Sequence, residues 1–164
     1  MSTGTRASPP ETPFVKAGKL KGGTWAWVPD EIRVFKPVFV VPQDGGANYT
    51  DESKNVYSAD QVTKIDNPEN IDIAANDLVH LDEVNEPFIL QSIGQRFAED
   101  KIYTNLGSIV ISMNPFKWID GLYGPKVIEK YSRIRRQGIA MPPHIYTIAD
   151  TALCAIVESG KDQS

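Results

Sequence analysis

The residues best suited to binding chemistry lie in one short loop, SMNPFKWIDGLY, which follows an apolar run. Asn114-Pro115 would stop a strand at that point, yet Phe116, Trp118 and Tyr123 follow instead of small polar turn residues. An asparagine amide and a phenol can hydrogen-bond to the edge of a flat heterocycle while aromatic faces stack on it. The residues alone leave a second interpretation open, in which the rings pack the loop onto its own domain.

Other reactive side chains have simpler explanations. Asp82, Glu83 and Glu86 lie at the start of a predicted helix, where the positive end of the helix dipole stabilises carboxylates. His144 is interpreted as a helix cap or packing residue, and Cys154 as a small side chain that is buried or semi-exposed. Two histidines and one cysteine are too few for a structural zinc site. The motifs GxxxxGK(S/T), GxGxxG, HExxH and GxSxG are absent, so spacing alone yields no catalytic group.

Composition favours a soluble, globular protein. The 164 residues are 41% hydrophobic and 23% charged, and a net charge of −4 argues against binding to nucleic acid or anionic membranes. Apolar runs such as VFVV are far shorter than the ~20 residues of a membrane span. The N-terminal MSTGTRASPPETP lacks the apolar core of a secretory signal, and the single cysteine fits a reducing compartment. We therefore expect a cytoplasmic location, with no nucleic-acid or membrane partner.

The first third of the chain predicts a small antiparallel β barrel. Residues 1–20, rich in Ser, Thr, Pro and Gly, are predicted to form a disordered tail. In residues 21–66, turn clusters separate four runs typical of strands: TWAWV, VFKPVFVV, NVYS and QVTKI. Trp25 and Trp27 would share one face of the first strand, opposite Ala26. In so small a barrel we expect tryptophans in the core or at the rim.

A helix and two strands are predicted next, after residues 66–76, which are interpreted as a linker. Asn85 is the expected N-cap of the helix. Strands are expected at residues 101–104 and 108–113, joined by a turn in which Gly107 supplies a positive φ. The second strand alternates only weakly, which favours a strand covered on both faces.

Two helices close the predicted fold. The first has Pro125 at its start and Gly138 as its stop. The second follows Pro142-Pro143, ends at Gly160, and carries the strongest helical periodicity of the sequence. Its apolar positions are 145, 148, 149, 152, 153 and 156.

Three blocks of the sequence together resemble the N-terminal part of the myosin motor head. They are DLVHLDEVNEPFIL, IYTNLGSIVISMNPFKW and MPPHIYTIAD, in that order and with compatible gaps. The resemblance covers residues 23–164, and GTWAWVPDEIRVF is similar to the start of the SH3-like barrel found in many myosins. It implies a mixed β and α/β fold. An SH3-like antiparallel barrel at residues 21–66 would precede the first, incomplete segment of a P-loop NTPase-type motor domain at residues 67–164.

The resemblance also implies a role for the aromatic loop. In myosins the corresponding loop is the purine-binding loop, which borders the adenine of ATP. Asp120-Gly121 adds one residue before the tyrosine compared with the common family spacing, a change that loops absorb cheaply. The residues assigned to nucleotide binding on this basis are Asn114, Pro115, Phe116, Lys117, Trp118 and Tyr123.

The same resemblance limits the activity expected of this chain. In myosins a P-loop and two switch loops hold the phosphates and Mg²⁺, and residues 1–164 contain none of them. The implied protein is the N-terminal piece of an actin-based, cytoskeleton-associated motor that binds and hydrolyses ATP when complete. Its partners would be the remainder of the motor head and, through regions absent here, actin filaments. A stand-alone SH3-like interaction module and a non-functional remnant are the alternatives.

Overall fold

A computed structural model describes residues 21–136 and 138–160. The predicted tail at residues 1–20 lies outside the described residues. Two compact units divide the chain: one runs to Ile73 and includes Asp82–Gln95, and the other consists of Ala74–Leu81 and the residues from Arg96 onwards. The domain boundary expected after residue 66 stays a prediction. Within the described residues, no helix combines the length and apolar character needed to cross a bilayer.

The first unit is built on a five-stranded antiparallel sheet in which β1 (Thr24–Asp30) and β2 (Val34–Gln43) form the long central pair. The strand order is β4-β3-β2-β1-β5, with β3 at Asn48–Asp51, β4 at Val56–Ser58 and β5 at Thr63–Lys64. Four of these strands fall on predicted runs. The exception is β3, which lies between two turn clusters and becomes a strand through its pairing with β2 and β4.

The two faces of β1 pack against different partners. The core of the sheet consists of the fully buried Ala26, Val28 and Val40. Because successive side chains alternate, Trp27 lies on the other face. There its ring meets Phe88 of helix α1 (Glu86–Ala98) edge-on, with ring centroids 5.1 Å apart. Trp27 is a core residue, as expected, although its main aromatic neighbour belongs to a helix.

The start of α1 confirms the predicted cap. Asn85 Oδ1 accepts a hydrogen bond from the backbone N of Phe88 at 3.1 Å, satisfying one of the free donors of the first turn. The segment before it is more than a linker. Ile71 is fully buried, and Asn70 Nδ2 donates to Asp82 Oδ2 at 3.1 Å. The linker interpretation is therefore wrong for the middle of residues 66–76.

The second unit contains an antiparallel hairpin of β6 (Tyr103–Leu106) and β7 (Ile109–Ser112). Gly107 has φ +60° in the turn, as expected for a position that favours glycine. The side chains of β7 are half-buried or exposed, and Ile109 is 61% exposed. Among the described residues this strand is therefore not covered on both faces, contrary to expectation.

Helices α2 (Pro125–Arg136) and α3 (Ile145–Ser159) complete the second unit. Two of their predicted limits hold: Pro125 begins α2, and Gly160 ends α3 in the left-handed conformation. Gln137, directly before the predicted stop at Gly138, lies outside the described residues. However, no side chain of α3 is buried, so its regular apolar stripe is uncovered. Antiparallel strands followed by helices confirm the mixed fold class.

Candidate functional site

The candidate loop connects the end of β7 to the start of α2, both in the second unit. Asn114 shapes its first turn, because Asn114 Oδ1 accepts a hydrogen bond from the backbone N of Phe116 at 3.0 Å. Pro115 between them is half-buried, and Phe116 adopts φ +49°, an uncommon conformation for a bulky residue. The amide oxygen of Asn114 is thus used within the loop, and its NH₂ group is the donor it can offer to a ligand.

The two rings after this turn are exposed. Phe116 is 91% exposed and Trp118 is 80% exposed. A ring that packs a loop onto its own domain is mostly buried, so the packing interpretation fails for these two side chains. Large apolar side chains exposed together are typical of a surface that binds a ligand or a partner.

Lys117 ties the front of the loop to the turn before β6. Its ammonium group forms an ion pair with the carboxylate of Asp100. The side chain of Lys117 is 50% exposed and that of Asp100 is 39% exposed, so the pair contributes at most about 1 kcal/mol. In this structure the ammonium group of Lys117 therefore contacts Asp100 and restrains the front of the loop.

Tyr123 is fixed at the far end of the loop through its hydroxyl group. This group lies 2.7 Å from the hydroxyl of Tyr103, a buried residue of β6. Burial, followed by the hydrogen bond with Tyr123, raises the pKa of Tyr103 to about 12, so Tyr103 stays neutral at physiological pH. Tyr123 itself remains 43% exposed. The structure thus restrains Tyr123 while leaving part of it accessible.

A buried arginine fixes the strand that carries Tyr103. Arg96 Nε donates to Thr104 Oγ1 at 2.9 Å, and its two terminal nitrogens donate to Asn76 Oδ1 at 2.7 Å and Tyr103 O at 2.6 Å. These acceptors are neutral, and burial lowers the pKa of the guanidinium group. Sequence reasoning missed Arg96. The available signal was a charge in the last turn of α1 beside its apolar stripe, where a charge is costly unless it is hydrogen-bonded.

His144 confirms its predicted role as a helix cap. Its Nδ1 accepts a hydrogen bond from the backbone N of Tyr146 at 3.0 Å, in the first turn of α3. The side chain is 3% exposed, and burial lowers its pKa, so it is neutral at pH 7.

The acidic residues before α1 serve the fold. Glu83 Oε1 accepts hydrogen bonds from the backbone N of Asp66 at 3.1 Å and of Asn67 at 3.0 Å. Cys154 is a free, half-buried thiol, as predicted. In the part of the chain that the structure describes, no three His, Cys, Asp or Glu side chains lie together as a metal site would require.

Comparison with known proteins decides the family. A model of the myosin head (motor domain) matches residues 75–164, which is more than half of the chain. The chain belongs to the myosin head family. The part that matches the myosin head includes the complete candidate loop, the β6–β7 hairpin and helices α1 to α3.

Individual myosins extend this likeness. The high molecular weight form of myosin-1 from Acanthamoeba castellanii is 35% identical over 152 residues, covering 89% of this chain and 9% of that protein. The myosin IC heavy chain of Dictyostelium discoideum is 36% identical over 88 residues, covering 54% of this chain and 7% of that protein. Unconventional myosin-IXa of Mus musculus is 40% identical over 88 residues, covering 54% and 3%. This myosin-head chain therefore spans less than a tenth of the length of these relatives.

Proposed function

We propose that this chain is the N-terminal part of an actin-based, ATP-driven myosin motor, and that residues 114–123 line the adenine side of its nucleotide site. The observation that carries the proposal is the exposure of Phe116 and Trp118 on a loop whose first turn is closed by Asn114 and whose far end is held through Tyr123, within the segment that matches the myosin head. Rings on a restrained backbone lose little conformational entropy when a flat base stacks on them.

The polar groups of the loop complement an adenine edge. Adenine offers acceptor ring nitrogens and a donor amino group. The NH₂ group of Asn114 can donate to a ring nitrogen, and the hydroxyl oxygen of Tyr123 can accept from the amino group while it remains bonded to Tyr103. Between Pro115 and Lys117 the backbone turns at Phe116, with φ +49°, and the ion pair of Lys117 with Asp100 restrains it.

ATP with Mg²⁺ would be bound and hydrolysed by the complete head. Phosphoryl transfer depends on a P-loop lysine, Mg²⁺ and groups that orient the attacking water. Since the sequence contains no GxxxxGK(S/T), we assign the phosphate and Mg²⁺ ligands to segments outside this chain. Residues 1–164 alone are expected to show no Mg-ATPase activity. One wall leaves most of the nucleotide in water, so its affinity should be about millimolar or weaker.

The same proposal assigns the fold more finely. The five-stranded antiparallel sheet would be the SH3-like barrel of a myosin, and the second unit would begin its P-loop NTPase-type motor domain. A stand-alone SH3-like module would need an exposed aromatic groove for peptide binding. Instead, Trp27 is buried against Phe88, and Trp25 packs edge-on against Phe39 at 5.8 Å. These tryptophans therefore support the motor assignment over the interaction module.

The exposed apolar side chains of the second unit indicate the remainder of the motor head as the partner. Ile109 on β7, and Leu153 and Val157 on α3, are all more than half exposed. An apolar helix face of this kind is normally covered in a folded protein. Actin would be bound through regions of the motor outside this chain, which gives a cytoplasmic, cytoskeleton-associated location.

The proposal can be tested in a complete head, made by placing residues 75–164 of this chain into the Dictyostelium myosin IC heavy chain. We expect the fluorescence of Trp118, isolated by comparison with Trp118→Phe, to change when ATP is added. Asn114→Ala should abolish the change, because the turn that presents the rings loses its hydrogen bond. Asp120→Ala, in an exposed loop position, is the control. An unchanged Trp118 signal at saturating ATP would contradict the proposal.

A further inference from the structure

The first turn of α3 contacts three consecutive residues at the end of the candidate loop. His144 Nε2 lies 3.0 Å from Leu122 O, and Tyr146 Oη accepts a hydrogen bond from the backbone N of Gly124 at 3.3 Å. Between them, the ring of Tyr123 packs against both side chains, with centroid distances of 5.7 Å to His144 and 6.2 Å to Tyr146. The position of Tyr123 thus depends on the start of a helix more than twenty residues later in the chain.

The hydrogen bonds of His144 select one tautomer. Its Nδ1 accepts from the backbone N of Tyr146, so Nδ1 carries no proton. A neutral imidazole then has its single proton on Nε2, where it is donated to the carbonyl of Leu122. The other tautomer would direct a proton at the Tyr146 N–H and leave the Leu122 carbonyl without this donor. With the proton on Nε2, the His144 side chain therefore caps α3 and donates to the loop at the same time.

The surroundings of the imidazole keep it uncharged. Burial is the main cause that lowers the pKa of His144, and the positive charge of Lys130 acts in the same direction, whereas the Leu122 carbonyl opposes them. Tyr131 of α2 lies against the ring at a centroid distance of 4.8 Å. The titratable and charged groups that face the ring are Tyr103 of β6, Tyr123 of the loop, Lys130 and Tyr131 of α2, and Tyr146 of α3.

We propose that His144, in its Nε2–H tautomer, is a positioning residue that joins the start of α3 to the end of the loop and so sets the place of Tyr123. The consequence of this link for adenine binding rests on the proposed function. The contacts of His144 with the loop and with α3 do not. Protonation of Nδ1 breaks the link, because two N–H groups then face each other at the helix start.

Two substitutions separate the halves of the link in the full chain. The amide oxygen of His144→Asn takes the place of Nδ1 and keeps the cap, whereas the amide NH₂ of His144→Gln takes the place of Nε2 and keeps the donor to Leu122. By hydrogen exchange, we expect His144→Asn to speed exchange of the Leu122 amide, which bonds to Ile119 O within the loop, about tenfold and to spare the Tyr146 amide. We expect the reverse pattern in His144→Gln. Equal effects of both substitutions on both amides would overturn the proposal.

A measurement on the unmodified chain removes any dependence on the folding of a variant. Nitrogen-15 shifts of the His144 ring at neutral pH should show a protonated Nε2 and an unprotonated Nδ1; the opposite tautomer would contradict the inference. As pH falls below about 6.5, the protection factors of both amides should drop together, since His144 takes up a proton on release. The exposed His80 gives the control. The variant His80→Gln should retain this pH dependence of the protection factors. If His80→Gln loses the pH dependence, the role of His144 is contradicted. Because both measurements are made without nucleotide, their results are independent of the adenine proposal.

Discussion

The five-stranded sheet and helix α3 both carry apolar side chains, but only the sheet buries them. In the sheet, Ala26, Val28 and Val40 form a core with no exposed surface. In α3, whose apolar spacing is the clearest in the sequence, no side chain is buried. Most helical stability in proteins comes from packing of an apolar face. The sheet therefore completes its own core, whereas α3 has an apolar face suited to the proposed docking against the rest of a motor head.

The start of α3 differs from the rest of the helix. Pro143 and His144, directly before it, are buried, although no residue of the helix that follows is. The helix is thus anchored at the end that meets the candidate loop and uncovered along its length. This contrast leads to four predictions.

The largest effect is expected from removing the ring that joins the sheet to α1. Trp27→Ala should lower the free energy of unfolding by about 4 kcal/mol, because it leaves a cavity beside Phe88. Trp118→Ala, the same change in the exposed loop, should alter it by at most about 0.5 kcal/mol. Urea unfolding followed by circular dichroism measures both. Similar losses in the two variants would show that the loop is packed after all.

A somewhat smaller loss is expected when the buried arginine is replaced. Arg96→Met keeps an unbranched apolar side chain in place of the aliphatic part of arginine but leaves Asn76 Oδ1 and Tyr103 O without their donors, at a cost of about 3 kcal/mol. The matched control is Arg133→Met, since Arg133 makes an exposed ion pair with Glu129 worth about 0.5 kcal/mol. Thermal unfolding compares the two variants. If the two variants are equally stable, the hydrogen bonds of Arg96 do not stabilise the strand that carries Tyr103.

The two regions should also respond to acid in different pH ranges. At Asp51 in the sheet, burial raises the pKa, but hydrogen bonds from Asn55, Tyr57 and Ser53 outweigh it, so the folded pKa lies below 3.8. That stability is present above pH 3.8 and is lost as pH falls through the folded value. His144 has a lowered pKa, so the start of α3 should weaken as pH falls below 6.5. Residue-resolved hydrogen exchange should therefore show loosening at α3 first; loosening of β3 at pH 5 would reverse the comparison.

The smallest effect is expected on the uncovered face of α3. Leu153→Gln should change the free energy of unfolding of the chain by no more than about 0.5 kcal/mol, because the residue is already 59% exposed. Val40→Thr in the sheet core buries a hydroxyl group among apolar side chains without a hydrogen-bond partner. This substitution should cost about 2 kcal/mol. Chemical denaturation at neutral pH measures the pair. A large loss in Leu153→Gln would mean that the helix face is covered within this chain.

Local signals predicted much of this fold. The caps at Asn85 and His144 and the stop at Gly160 depend on hydrogen bonds or backbone angles within a few residues, so short patterns reveal them. By contrast, β3 has little apolar character and exists because β2 and β4 flank it. Likewise, the exposed state of α3 depends on what lies beside the helix, which its periodicity does not encode.

The candidate site divides in the same way. The aromatic content of the loop marked it as unusual. The family resemblance then predicted that the loop borders the adenine of ATP. The hydrogen bond that occupies the Asn114 oxygen depends on backbone geometry, and the Tyr103–Tyr123 contact joins side chains twenty residues apart. The support from Arg96 likewise reaches across segments distant in sequence. Such contacts follow from tertiary packing, and sequence spacing does not predict them.

The most direct test of the central claim compares ATP with inorganic triphosphate in a complete head carrying residues 75–164 of this chain. The two ligands share their phosphates, and only ATP has a base to stack on Phe116 and Trp118. The double substitution of both rings by alanine should weaken ATP binding by about five- to 150-fold in calorimetry, since stacking on aromatic side chains contributes about 1–3 kcal/mol per base. Triphosphate affinity should stay unchanged. An equal loss for both ligands, or no loss for ATP, would contradict an adenine-side role for this loop.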